Sequence, residues 1–125
     1  MDKLLRVLCA APAIFFVVVG LRWLIDPAGI APELGMPLLE GIGLSTQIGD
    51  LAVLFLSIGM MMLLAVITSR RHWFHVPALM LLGAAGFRVI AWLLHDAAFA
   101  GQLVALEFGV ACLLLFAASR LASRE

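Results

Sequence analysis

Apolar residues occur along this chain in four long runs, and the short segments between the runs carry most of the polar and charged side chains. The runs predict helices at about residues 4–25, 45–68, 76–95 and 97–119. Each approaches the ~20 residues that a helix needs to cross a hydrocarbon core of ~30 Å. The predicted fold is all-α, an integral membrane four-helix bundle that forms a single domain over residues 1–125.

The first run follows two basic residues, Lys3 and Arg6, as the apolar core of a secretory signal peptide would. The run is long, however, and no small-residue cleavage site follows it before Asp26 and Pro27. We therefore expect an uncleaved transmembrane helix. Pro12 should kink this helix by removing a backbone hydrogen bond, and Pro27 should end it.

The segments between the runs predict how the helices begin. Residues 26–43 contain three prolines and four glycines, which break regular structure, so we expect an irregular outer loop on the bilayer surface. Ser45 or Thr46 should cap the second helix, and Asp96 the fourth. The sequence SRRHWFH at 69–75 predicts a short basic and aromatic turn. Pro77 then suits the first turn of the third helix.

Basic residues predict the orientation of the chain in the membrane. In the four-helix arrangement, six of the eight fall on one side: Lys3, Arg6, Arg70, Arg71, Arg120 and Arg124. Acidic residues collect on the other side: Asp26, Glu33, Glu40 and Asp96. The positive-inside rule then places both termini in the cytoplasm.

Composition excludes several classes of protein. Hydrophobic residues make up 65% of the chain, charged residues 13%, and the mean hydropathy is +1.16, which is far from the composition of a water-soluble domain. The formal net charge is zero, so nothing predicts a nucleic-acid partner. Cys9 and Cys112 lie in apolar runs without metal-binding spacing, so neither a disulfide framework nor a metal site nor any other cofactor is predicted.

The third run contains an arginine, Arg88, inside an otherwise apolar stretch. A charge at the middle of a membrane helix costs roughly 2.5–3.5 kcal/mol, so such a residue tends to face inward and to have a partner. Arg88 lies eight residues before Asp96, and Glu107 lies eleven after it. In an antiparallel hairpin both then lie at a similar depth, roughly 12–15 Å below the outer helix ends, which predicts an ion pair.

Further polar residues extend this charged region. Arg22 and Asp50 have the same relation to each other across the outer loop, nearer to the surface. Helical spacing places Arg88, Trp92 and His95 on one face. We hypothesise a pocket that opens outward and binds a ligand, with Trp92 as an aromatic wall. Its candidate ligand-binding residues are Arg88, Glu107, Asp50, Gln47, Trp92, His95 and Arg22.

A purely structural interpretation competes with this hypothesis. Arg88 and Glu107 can serve only as an ion pair that fixes the register of two helices. Asp50 can complement the positive end of the second helix, and Arg22 can extend to the outer interface. The sequence leaves both interpretations open.

Other segments are weaker candidates for a site. His72 and His75 lie beside two arginines, which favours contact with anionic lipid over metal binding. The methionines at 60–62 point in three directions around a helix and cannot face one ion. The sequence GAAG at 83–86 predicts a close contact between helices. No nucleophile and base pair, phosphate-binding loop or haem motif is present.

The segment STQIGDLAVLFLSIG at 45–59 resembles a family of small bacterial four-helix membrane proteins, domain of unknown function 4345, within the wider DoxX-like group. The likeness extends along most of the chain through Thr46, Gly49 and Asp50 in the second helix, Arg88 in the third and Glu107 in the fourth. It implies a four-helix bundle in the bacterial inner membrane. Relatives in the wider group include assembly chaperones, subunits of redox complexes and small-molecule binders, so the likeness leaves the activity open.

Three functions remain as expectations. The first is binding of a small or lipid-like ligand in the charged pocket, with Arg88 holding an anionic group and Glu107 orienting Arg88. The second is an accessory or assembly role, in which lipid-facing surfaces bind a partner membrane protein or a second copy of the chain. A membrane enzyme is the third, and it requires a proton donor such as His95 or Glu107 in a cavity of substrate size.

Overall fold

The computed structural model of the protein describes residues 2–122, and these residues are all-α. Five helices follow one another, α1 Asp2–Ile25, α2 Pro27–Glu33, α3 Gly41–Thr68, α4 Arg71–Leu94 and α5 Gly101–Leu121. By length and composition, α1, α3, α4 and α5 are each apolar and long enough to cross a membrane. The four predicted long helices are thereby confirmed as helices. Arg124, which contributed to the predicted orientation, lies outside the described residues.

The short helix α2 corrects the prediction that the outer loop is irregular throughout. Pro27 does end α1, but it also takes the first position of α2, where its missing N–H costs nothing. Asp26 caps the new helix, since its carboxylate accepts a hydrogen bond from the Gly29 N–H at 3.2 Å. An acidic cap followed by proline is a start signal for a helix, and here it outweighs the glycines nearby.

Two long helices begin earlier than predicted. Helix α3 begins at Gly41, so Ser45 and Thr46 lie inside it and do not cap it. Helix α4 begins at Arg71, which places most of the predicted basic and aromatic turn inside the helix and moves Pro77 from the first turn to the second. The turn between them shrinks to residues 69–70, where Ser69 adopts a left-handed φ of 57°.

The start of α5 also differs from the prediction. The residue that caps α5 is Ala100, which makes no side-chain capping bond, and Asp96 does not cap the helix. Asp96 instead adopts a φ of 57° just after α4 ends. Aspartate tolerates the left-handed region better than most residues, so here it helps to end one helix and does not start the next.

The chain divides into two compact units. The first unit is Ala11–Met60, which contains most of α1, all of α2 and the first part of α3. Its core centres on the fully buried Trp23, which packs with Val19, Ile30, Ala31 and Ala52. Partly buried residues surround this cluster: Leu34, Met36, Ile48, Leu51 and Phe55. Helix α2 and the segment after it are therefore part of the core of this unit.

Helices α1 and α3 approach each other closely inside the first unit because two glycines lack side chains. A Cβ on Gly20 would lie 2.9 Å from the backbone nitrogen of Leu56, and a Cβ on Gly59 would lie 2.8 Å from the carbonyl oxygen of Ala13. The prediction of a close helix contact at GAAG, residues 83–86, is wrong. A Cβ on Gly83 or on Gly86 would have no heavy atom within 4 Å among the described residues.

The second unit comprises Met1–Ala10 and Met61–Glu125, so it contains the start of α1, the end of α3, and both α4 and α5. Helix α4 packs against α5, and residues 95–100 connect the two helices. Leu81 of α4 and Leu114 of α5 are among the buried residues of this unit. At the end of α3, Arg6 donates hydrogen bonds to the carbonyl of Val66 and, at 2.7 Å, to the hydroxyl of Ser69. Arg6 thus satisfies a backbone acceptor that the helix end leaves free.

Candidate functional site

The predicted ion pair between α4 and α5 is present in the second unit. The Nε atom of Arg88 donates a hydrogen bond of 2.8 Å to Oε1 of Glu107. The two residues meet because the 95–100 connection lies midway between them in the chain, so that the two helices return at matched depth. The distance of each residue from the turn, estimated from the rise per residue, therefore predicted this contact correctly.

The geometry of the pair leaves much of the guanidinium group available. Only Nε contacts Glu107, and within residues 2–122 the terminal nitrogens Nη1 and Nη2 of Arg88 have no hydrogen-bond partner. The Arg88 side chain is 37% exposed, whereas that of Glu107 is 12% exposed. The carboxylate is therefore largely enclosed, whereas the guanidinium group is more accessible.

Aromatic side chains lie one turn beyond Arg88 on α4. Trp92 is half exposed, and its ring packs at 4.9 Å from the ring of Phe99 in the connection to α5. His95 ends α4, where its backbone N–H bonds the carbonyl of Ala91, and its side chain is exposed. Phe99 was not among the predicted site residues. Its place beside Trp92 depends on the non-helical course of residues 96–100, which the predicted helix start at 97 excluded.

Gln47 has a structural role that the sequence did not reveal. It is the most buried polar side chain among the described residues, with 5% exposure. Its amide oxygen accepts the N–H of Leu39 at 3.0 Å, and its amide nitrogen donates to the carbonyl of Pro37 at 3.0 Å. One side chain of α3 thereby holds the segment that leads into the helix. A buried glutamine that satisfies two backbone groups is an anchor for that segment.

A groove lies between this anchored segment and α3, within the first unit. Its volume is about 430 Å³. Its lining residues are Met36, Leu39, Gly43, Thr46, Gln47, Asp50 and Leu51. Two of the predicted site residues, Gln47 and Asp50, thus come together in the groove. The five remaining lining residues were not among the predicted site residues. The spacing of the α3 members over 43–51 is that of one helix face, but the contribution of residues 36–39 depends on the anchor at Gln47.

Arg22 has a different partner from the one that its position suggested. Its Nη1 atom lies 2.5 Å from Oε2 of Glu33, which belongs to α2, and Asp50 takes no part in that contact. Both side chains are substantially exposed, at 36% and 58%. The parallel between Arg22–Asp50 and Arg88–Glu107 is therefore wrong. It failed because α2, which carries Glu33, was not predicted.

Three further observations concern the chemistry that the described residues can support. Among residues 2–122 no three side chains of histidine, cysteine, aspartate or glutamate come close enough to hold a metal ion. Both cysteines are free, with Cys9 buried and Cys112 exposed. Finally, the indole N–H of Trp23 is buried and has no hydrogen-bond partner within residues 2–122.

No family model, curated protein or solved structure matches this chain, so the interpretation of the site rests on its own geometry.

Proposed function

We propose that this chain is an integral membrane protein that binds an anionic, lipid-like small molecule through Arg88. The observation that carries the proposal is the side-on contact of Arg88 with Glu107, which leaves two nitrogens of the guanidinium group without protein partners. A planar guanidinium edge with free donors matches the oxygens of a phosphate or carboxylate. Ionisable residues inside membrane spans commonly mark a functional site.

In this proposal three other residues of the region have supporting roles. Glu107 is mostly enclosed, accepts the Nε donor and thereby fixes the plane of the guanidinium group. Trp92 and Phe99 form an exposed aromatic pair one turn further along α4, and such a pair offers apolar contact to the part of the ligand next to its anionic group. The ligand is thus expected to combine a negative head with an apolar body.

We also propose that the chain lies in a bacterial inner membrane, with both termini in the cytoplasm and with membership in the DoxX-like group. The contact of Arg6 with the end of α3 supports this orientation, because it brings the start of α1 beside Arg70 and Arg71. These basic residues therefore lie at one end of the second unit, as the positive-inside rule requires of the cytoplasmic end. For the family, the support is the order of Asp50, Arg88 and Glu107 along three long helices.

Native mass spectrometry tests the ligand proposal with a matched control. The test variant is Arg88→Leu/Glu107→Leu, which removes both charges of the pair between α4 and α5. The control is Arg22→Leu/Glu33→Leu, which removes an exposed pair with the same net charge and the same gain in hydropathy. We expect an adduct of defined mass on the wild type and on the control, and no adduct on the folded test variant.

Two results would refute the proposal. The first is an adduct that remains on Arg88→Leu/Glu107→Leu at wild-type occupancy, since the ligand would then not depend on the pair. The second is the absence of any adduct on all three folded proteins. That result together with a stably co-purifying membrane protein would favour the accessory role, in which the pair only holds α4 against α5.

A further inference from the structure

The groove of the first unit forms a second candidate site, and it differs in charge from the region around Arg88. Its walls are mainly apolar side chains from α3 and from the segment that Gln47 anchors. Its volume of about 430 Å³ falls in the range of roughly 300–1,000 Å³ that is usual for small-molecule sites. Because both hydrogen bonds of Gln47 fix the segment, the groove is built into the fold of this unit.

Asp50 is the one charged residue among those that line the groove. Neither ion pair found among the described residues involves Asp50, because Arg22 is engaged by Glu33 and Arg88 by Glu107. Its carboxylate also makes no hydrogen bond among residues 2–122, and its side chain is exposed. A carboxylate beside apolar walls and without a protein partner favours a cationic group on an apolar ligand.

The charges of the whole unit point the same way. Residues 11–60 contain one basic residue, Arg22, and four acidic ones: Asp26, Glu33, Glu40 and Asp50. The single arginine is paired with Glu33, and Asp26 accepts a backbone N–H of α2. The unit therefore presents a net negative field, which attracts cations and repels anions.

The length of α3 places the groove near a membrane boundary. The helix has 28 residues and is therefore about 42 Å long, which exceeds a hydrocarbon core of about 30 Å. If its last turn lies at one face of the core, about eight residues at its start extend beyond the other face. Asp50 is the tenth residue of the helix, so its carboxylate lies close to the boundary, where an ammonium group can remain hydrated while the groove walls cover an alkyl chain.

We propose that this groove binds an alkylammonium group, with the ammonium at Asp50 and the alkyl chain along Met36, Leu39 and Leu51. A charged head and an apolar chain are the two features that the lining residues match. The same chemistry occurs in a free long-chain amine and in the ethanolamine head group of a phospholipid. The site uses neither Arg88 nor Glu107, so it stands or fails independently of the proposed anionic ligand.

Trp23 makes a local reporter for the groove. It packs in the buried cluster that Met36 and Leu51 adjoin, and these two residues also line the groove. In a Trp73→Phe/Trp92→Phe background, Trp23 is the only tryptophan of the chain. Decylamine is titrated into this protein in detergent while the emission of Trp23 is recorded. Decanol and decanoate have the same chain length, without a charge and with a negative charge, and serve as matched ligands.

Two substitutions separate the roles of charge and space. Asp50→Asn keeps the shape and removes the charge, and it should weaken decylamine binding about tenfold or more. Gly43→Leu should fill the groove, since a Cβ there would already lie 3.4 Å from side-chain carbons of Leu39. The control is Gly49→Leu on the same helix, where a Cβ would have no heavy atom within 4 Å, and it should leave the affinity unchanged.

The expected result is saturable binding of decylamine that is lost in Asp50→Asn and in Gly43→Leu, with decanol and decanoate binding about tenfold or more weakly. Native mass spectrometry from mixed phosphatidylethanolamine and phosphatidylglycerol then identifies the source. Ethanolamine lipid that is retained by wild type and lost in Asp50→Asn indicates a lipid head group, whereas decylamine binding without such retention indicates a free amine. Equal binding of decanoate and decylamine, or affinity within about twofold in Asp50→Asn, overturns the proposal.

Discussion

Replacement of Arg88 by leucine is expected to destabilise the protein more than replacement of Glu107 by leucine. The reason is the unequal burial of the pair, since the side chain of Glu107 is 12% exposed and that of Arg88 is 37% exposed. Without Arg88, an enclosed carboxylate loses its hydrogen-bond donor and has little access to water. Without Glu107, the more exposed guanidinium group keeps its free nitrogens available to other acceptors.

The magnitude follows from this burial. Breaking a buried ion pair by removing one partner costs roughly 3–5 kcal/mol, and a hydrogen bond to a charged group contributes roughly 1.5–3 kcal/mol. Because Arg88 is partly exposed, we expect losses of stability below the range for a fully buried pair, about 2–3 kcal/mol for Arg88→Leu and about 1–2 kcal/mol for Glu107→Leu. The double variant leaves neither charge without its partner. Its free energy of unfolding should therefore lie within about 1 kcal/mol of that of the wild type and above those of both single variants.

Reversible unfolding in mixed micelles, followed by tryptophan fluorescence, provides the four free energies of this double-mutant cycle. A coupling of about 2–5 kcal/mol between the two substitutions is the expected outcome. Arg88→Lys is a useful companion, because it keeps the charge and removes the side-on Nε donor, and it should show an intermediate loss. Additive effects of the two leucine substitutions, or a double variant that is less stable than either single variant, would refute the reasoning.

Three further predictions follow from contacts within each unit. Gly59→Ala should destabilise the protein by about 1–3 kcal/mol, because the new Cβ would lie 2.8 and 2.9 Å from backbone atoms of α1. Gly49→Ala, where the new Cβ would lie in open space, should stabilise it by about 0.5–1 kcal/mol in the same unfolding experiment. Gln47→Leu should leave two backbone groups of the loop without partners, and faster hydrogen exchange confined to residues 36–40 would report this loss. Arg6→Leu should cost about 1 kcal/mol through the uncapped end of α3, while Lys3→Leu should change stability by less than about 0.5 kcal/mol. Unchanged exchange, or equal effects within either pair of variants, would contradict these contacts.

The long apolar helices and the Arg88–Glu107 contact could be predicted from the sequence because both depend on local quantities. Hydropathy over some twenty residues identifies a span, and the rise per residue gives the relative depth of two side chains on either side of a turn. Helix termini were less predictable, because α3 begins at Gly41, at a residue with no capping side chain and a φ of 59°. A helix that begins without a capping side chain leaves no start signal in the sequence.

The groove could not be predicted because it depends on a contact between segments. Gln47 on α3 holds Pro37 and Leu39, and that contact defines one wall. In the sequence, Gln47 is one polar residue near the start of a helix, and many partners would satisfy it equally well. The partner of Arg22 was missed for a related reason, since Glu33 reaches Arg22 only because Asp26 and Pro27 start α2.

The close approach of α1 and α3 at Gly20 and Gly59 has a consequence for how variation in this chain should be read. At most positions of a membrane helix, a change to leucine is benign, because leucine is among the residues that lipid accepts most readily. At each of these two glycines a backbone atom of the neighbouring helix would lie within 2.9 Å of a new Cβ, and that backbone cannot move aside as the end of a side chain can. Association of helices in lipid depends on such close packing, so the lost fit is not compensated. Scores of mutational tolerance that rest on hydropathy would therefore rank leucine as the safest replacement at Gly20 and Gly59, where the available space makes it one of the most damaging.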